Sequence, residues 1–195
     1  DLAEATQDDV LQMWAGLGYY SRARNLKVCA DAVMRDFGGV FPSTEKELLS
    51  LPGIGPYTAA AIAAIAFGQK ATPVDGNVER VVSRLFAVRQ PLPLAKPEIK
   101  RLAATLTPAR RAGDFAQAMM DLGSEVCTPK RPSCLMCPLQ QDCAAAAHGI
   151  AETLPIKFAK AERPVRRGYA FLVQSTRGRI LLRQRPEAGL LGGML

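Results

Sequence analysis

The chain has 195 residues, of which 48% are apolar, so it can bury a sizeable core and wholesale disorder is excluded. Lys and Arg number 25 against 18 Asp and Glu, and the net charge of +7 favours a polyanionic partner. No run reaches the roughly 18 apolar residues of a membrane helix, and Asp1-Leu-Ala-Glu4 has neither the basic nor the apolar region of a secretory signal, so a cytoplasmic protein without membrane contact is expected.

Residues 7–15 and 19–36 carry apolar side chains at three- and four-residue spacing, which predicts two helices. Gly38-Gly39 ends the second. Cys29, alone on that helix, reads as a small core residue. Thr44-Glu45-Lys46-Glu47 has the form of a capping box and opens a short helix to Ser50. Leu51-Pro-Gly-Ile-Gly-Pro56 is a turn, and an Ala-rich helix follows over 57–67. Asp75-Gly-Asn77 precedes a helix over 77–88, and further helices are expected over 95–106 and 113–126. His148-Gly149 closes the helical part, with His148 a cap or surface residue. Residues 148–166, with Pro155, Pro164 and several basic side chains, read as a linker. Tyr169–Gln174 and Ile180–Arg183 are strand-like around Thr176-Arg-Gly178, a hairpin signal. The chain starts without Met, inside what reads as an ongoing domain, and stops after a strand-like run, so a fragment is expected.

Four of the five cysteines are clustered, Cys127, Cys134, Cys137 and Cys143, in the pattern C-x6-C-x2-C-x5-C. Clustered cysteines without an export signal point to metal rather than to disulfides. Four thiolates in one compact loop suit zinc or a 4Fe–4S cluster. Zinc sites commonly pair two C-x2-C knuckles, and only one is present here, so the longer arms favour the cubane. Lys130 and Arg131 in this loop can press onto phosphates or form an ordinary solvated face.

Gly53 and Gly55 allow a tight turn with positive φ and leave backbone N–H groups uncovered at the start of the next helix. Such amides can hold a DNA phosphate. The plainer reading is a helix–helix turn. Asp75 is well suited to cap the next helix. It is also the residue type that stabilises an oxocarbenium-like sugar during glycosidic cleavage.

Together, the G-x-G hairpin, an aspartate about twenty residues later and the four-cysteine spacing resemble the endonuclease III superfamily of helix–hairpin–helix DNA glycosylases. The match runs over nearly all of residues 1–147. Trp14-Ala-Gly-Leu-Gly-Tyr-Tyr20, Leu51-Pro-Gly-Ile-Gly-Pro-Tyr-Thr58, Val74-Asp-Gly-Asn-Val78 and Gln117-Ala-Met-Met-Asp-Leu-Gly123 resemble its MutY-type adenine glycosylase branch. The resemblance implies a mainly α fold. Residues 1–112 would form the glycosylase domain, 113–147 the 4Fe–4S region, and 167–195 the start of an α/β NUDIX-like domain. The NUDIX resemblance lies in Arg183-Gln-Arg-Pro186 and Gly189-Leu-Leu-Gly-Gly193, and the NUDIX hydrolase box itself is not in this sequence.

The implied activity is removal of adenine opposite 8-oxoguanine or guanine in double-stranded DNA, by a monomer carrying a 4Fe–4S cluster on its four cysteines. Lyase members of the superfamily place a nucleophilic Lys where this chain has Tyr57. A phenol does not condense with a sugar aldehyde, so a monofunctional hydrolase is implied. The resemblance gives Tyr57 and Asp75 catalytic roles and matches Asn77 to an active-site asparagine; its plainer role is a helix N-terminal residue. It matches Tyr19 to a wedge beside the damaged base, against a half-buried aromatic, and sets Arg22 and Arg24 on phosphates or in solvent. The superfamily's general acid is a Glu in a Glu-x-Met-x-Gln-Gln-Thr-type segment, a motif absent from these residues. The segment alone is therefore expected to lack glycosylase activity. Two rivals are an endonuclease III-like enzyme for oxidised pyrimidines and a non-catalytic iron–sulfur DNA-binding protein.

Overall fold

The computed structural model describes residues 1–159, 164–165, 167–169, 171–183 and 186. It divides into two compact units, Asp1–Phe158 and Ala159–Leu195. The first is helical: α1 (Gln7–Met13), α2 (Tyr20–Phe37), α3 (Glu45–Leu48), α4 (Pro56–Ile65), α5 (Gly76–Leu85), α6 (Lys96–Leu106) and α7 (Ala112–Asp121). After α7 the chain winds into a π-helical turn, Leu122–Val126, then a 3₁₀ turn at Cys134–Met136 and α8 (Ala144–Ala147). No helix among the described residues is long and apolar enough to cross a membrane.

The helix starts follow from local chemistry. Thr6 and Asp9 form a reciprocal capping box on α1. The Thr44 hydroxyl accepts from Glu47 N on α3. Pro56 occupies the first turn of α4, where its missing N–H costs nothing. Asp75 caps α5 through two backbone N–H groups.

Two apolar clusters hold this unit. Cys29, Ala32 and Val33 of α2 pack with Leu48, Leu51 and the alanines of α4. Val78, Val81 and Val82 of α5 pack with Ile99, Ala103 and Met119. Small residues let backbones approach. A Cβ on Gly113 of α7 would lie 2.7 Å from the Ala64 carbonyl of α4.

Two expectations change. The linker expected from 148 does not begin there. Ala151–Thr153 form a 3₁₀ turn, Ala151 and Leu154 are buried, and Leu92 N donates to the Ile156 carbonyl at 2.8 Å. Proline and basic content hid this packing, because the buried apolar residues there are few. In the second unit the hairpin turn at 176–178 forms, and the described residues there make one antiparallel bridge, Gln174 to Ile180, rather than two strands. The NUDIX-like Gly189–Gly193 segment lies outside the described residues.

Candidate active site and cysteine loop

The hairpin between α3 and α4 needs only one left-handed residue. Gly53 takes φ +77°, and a Cβ there would lie 2.6 Å from the Asn25 Cβ of α2. Gly55, expected to share that conformation, is extended at φ −89° and caps α4. Nothing lies within 4 Å of a Cβ on Gly55, so its outer face is open. The first turn of α4 has no side-chain cap, which leaves backbone N–H groups facing outward.

Beside the hairpin, Tyr19 stands at the start of α2 in a left-handed conformation, φ 49°, with 79% of its surface exposed. It is not the half-buried aromatic of the plainer reading. The Arg22 guanidinium lies 5.6 Å from its ring centroid, a cation–π distance. Tyr19, Arg22, Asn25 and Gly53 line one cavity of about 490 Å³. Arg24 is half-buried on the same helix.

Asp75 uses its two oxygens differently. Oδ1 accepts from Asn77 N at 2.9 Å and Val78 N at 2.8 Å, which is the helix cap. Oδ2 accepts from the Asn77 carboxamide at 3.1 Å. The Asn77 oxygen in turn accepts from Arg80 Nη2 at 2.9 Å. Arg80 is buried, and it also donates to the Gly123 carbonyl at 2.6 Å and the Cys127 carbonyl at 2.7 Å. A Cβ on Gly123 would lie 2.7 Å from Asn77 Cβ, so the π-helical turn presses directly on the asparagine. Asp75 is thus tied through Asn77 and Arg80 to the first residue of the cysteine loop.

Tyr57, one residue inside α4, donates its hydroxyl to Met120 Sδ at 3.1 Å. Burial and the negative charge of Asp75 push its phenol above the usual tyrosine range. The hydroxyl therefore stays protonated at neutral pH, within electrostatic reach of Asp75.

Cys127, Cys134, Cys137 and Cys143 all line one small cavity with Arg84 and Gln140. Burial and the charges of Cys127, Cys143 and Cys137 push the Cys134 thiol up, while Arg84 pulls it down. Among the described residues no three His, Cys, Asp or Glu side chains close on a single-ion site. Lys130 and Arg131 are exposed in the loop, with Arg131 held at φ 49°. Cys29 lies apart from these four in the core, and His148 is an exposed cap of α8.

Arg80, Arg84 and Met120 are the site residues that the sequence reading missed. Asn77, Arg80 and Arg84 follow a three-then-four spacing on α5, a polar stripe inside an otherwise valine-rich helix.

Residues 1–108 match the model of the HhH-GPD superfamily base excision DNA repair proteins. The chain belongs to that superfamily. Among relatives of this HhH-GPD protein, the adenine DNA glycosylase of Homo sapiens is 49% identical over 148 residues, which is 74% of this chain and 27% of that protein. The adenine DNA glycosylase of Mycobacterium tuberculosis is 38% identical over 185 residues, 92% of this chain and 57% of that protein. The chain thus spans from about a quarter to just over half of these relatives. A thermostable thymine-DNA glycosylase aligns at a TM-score of 0.68 and 32% identity, covering 75% of this chain and 69% of the other. A trapped endonuclease III–DNA covalent intermediate aligns at 0.64 and 27% identity, covering 76% and 70%.

Proposed function

We propose that this HhH-GPD chain is the catalytic segment of a monofunctional adenine DNA glycosylase acting on A opposite 8-oxoguanine or guanine in double-stranded DNA. The observation that carries the reading is Asp75, whose Oδ2 accepts from Asn77 alone among the described residues while Oδ1 serves the helix. Similarity to adenine DNA glycosylases across most of the chain supports the substrate.

In this reading the duplex lies across the hairpin. The outward amides at Gly55 and the start of α4 take a backbone phosphate. Arg22, Arg24, Lys130 and Arg131 add phosphate contacts, and Gly53 keeps the turn tight. Tyr19 wedges between bases beside the lesion and offsets part of the cost of unstacking. A general acid of the intact protein, not among the residues assigned in this chain, protonates adenine, which leaves with the electron pair of the broken C–N bond as positive charge develops on the sugar. The uncapped oxygen of Asp75 stabilises that charge, Asn77 fixes the carboxylate's rotation, and Tyr57 holds a protonated hydroxyl beside it. Water then completes an abasic site. Without an amine at position 57, no Schiff base forms and the strand stays intact.

Cys127, Cys134, Cys137 and Cys143 would hold a 4Fe–4S cluster. A cubane needs four separated sulfurs around one space, and the cavity shared by the four cysteines supports that reading. When bound, the cluster supplies a rigid knot for the loop and a one-electron couple. Residues 167–195 would begin the NUDIX-like domain, on their sequence resemblance.

The reading is tested by single-turnover release of adenine from an A:8-oxoguanine duplex by the intact gene product, which Asp75→Asn should abolish while duplex binding persists.

A further inference from the structure

Arg84 is the largest fully buried side chain among the described residues, at 1% exposure. Its N–H groups converge on the cysteine loop and the segment after it. Nε donates to the Leu154 carbonyl at 3.0 Å. Nη1 reaches the Thr128 carbonyl at 2.7 Å, and the carbonyl and sulfur of Cys127, each at 3.3 Å. Nη2 donates to the Pro129 carbonyl at 3.2 Å. The backbone of the same residue faces the site as well, since the Cys143 thiol donates to the Arg84 carbonyl at 3.5 Å.

None of the ion pairs among the described residues includes Arg84. Carbonyl dipoles solvate a buried guanidinium but do not neutralise it, and an unpaired buried charge is costly. Among these contacts the Cys127 sulfur alone can carry a full negative charge, and the other three cysteines line the same cavity. Arg80, the second buried cation on α5, feels the charge of Cys127 but among the described residues donates hydrogen bonds to carbonyl oxygens and Asn77 and to no sulfur.

We propose that Arg84 is the built-in counter-charge of the four-cysteine site. Its guanidinium neutralises the anionic thiolates when they carry a cluster, and its N–H bond to Cys127 Sγ stabilises the more negative, reduced form. The inference rests on the reading of these cysteines as 4Fe–4S ligands. Arg84 is then a positioning residue that acts on the cluster through Cys127, and removing it lowers the reduction potential and loosens the metal.

The test uses the cluster-loaded chain and two variants, Arg84→Lys, which keeps the charge, and Arg84→Met, which keeps most of the volume without it. Iron and sulfide per chain, the reduction potential and the rate of iron loss to a chelator are read. The expected result is a negative potential shift and faster iron loss in Arg84→Met, or failure to load, with Arg84→Lys close to the parent. An Arg84→Met protein at the parent potential and parent iron retention overturns the proposal. So does an Arg84→Lys protein as impaired as Arg84→Met, because only the fork of hydrogen bonds to carbonyls would then matter. A parent chain that takes up zinc and no iron overturns the cluster reading itself, and metal analysis reveals that before any variant is made.

Discussion

Asn77 holds Asp75 from the side: its carboxamide donates to Asp75 Oδ2 at 3.1 Å, on the oxygen that the helix cap leaves over. The cap and the carbocation roles therefore do not compete for the same atom. Oδ1 satisfies the first turn of α5, and Oδ2 is the oxygen left for the proposed role at the sugar.

Asp75→Asn separates those roles. Asn caps helices about as well as Asp, so thermal stability should change little. The charge proposed to stabilise the sugar is gone, so adenine release should fall by about 10²-fold or more. Single-turnover kinetics and a duplex-binding titration check both halves. Near-parent turnover would exclude the assigned role.

Asn77 is tested by two replacements. Asn77→Asp keeps an acceptor for Arg80 but sets a second carboxylate against Asp75. It should fold with a Tm close to the parent and lose activity. Asn77→Ala removes the Arg80 acceptor as well and should cost about 1–3 kcal/mol of stability. Denaturant unfolding and single-turnover rates on the same samples distinguish the two.

The hairpin glycines should behave differently from one another. Gly53→Ala imposes a left-handed conformation costing about 1–2 kcal/mol and drives a methyl into Asn25. It should lower the Tm clearly. Gly55→Ala meets nothing in the protein and has an allowed backbone conformation. It should leave the Tm nearly unchanged and weaken duplex affinity, because the methyl stands where a phosphate would approach. Unchanged affinity in a folded Gly55→Ala protein would remove the hairpin from the DNA interface.

Tyr57→Lys introduces an amine beside Asp75. An abasic-site adduct trappable by borohydride is expected, which the parent should not give. Gel analysis after reduction reads it, and absence of an adduct in an active variant would mean that residue 57 does not face the sugar.

The helices were legible because their ends carry chemistry. Thr44 and Asp75 cap where the pattern placed them. Asp75 stood out as a candidate site residue only beside the hairpin and the cysteine spacing, since a capping aspartate is common on its own. Arg80 and Arg84 were not legible. Their partners are carbonyls of Gly123, Cys127, Thr128, Pro129 and Leu154, which tertiary folding alone brings to α5. The same holds for Met120, whose sulfur meets Tyr57 from sixty-three residues away. Gly55 was misread because the sequence pattern does not say which of two glycines takes the left-handed turn.

The intact protein is proposed to excise adenine without cutting the strand. Single-turnover reactions on duplexes carrying A opposite 8-oxoguanine, A opposite G, and an oxidised pyrimidine, each split with and without hot alkali, test it directly. Adenine release from the first duplex is expected, with strand breaks only after alkali. Nicking at the oxidised pyrimidine without alkali would contradict it and place the protein with the endonuclease III-like lyases.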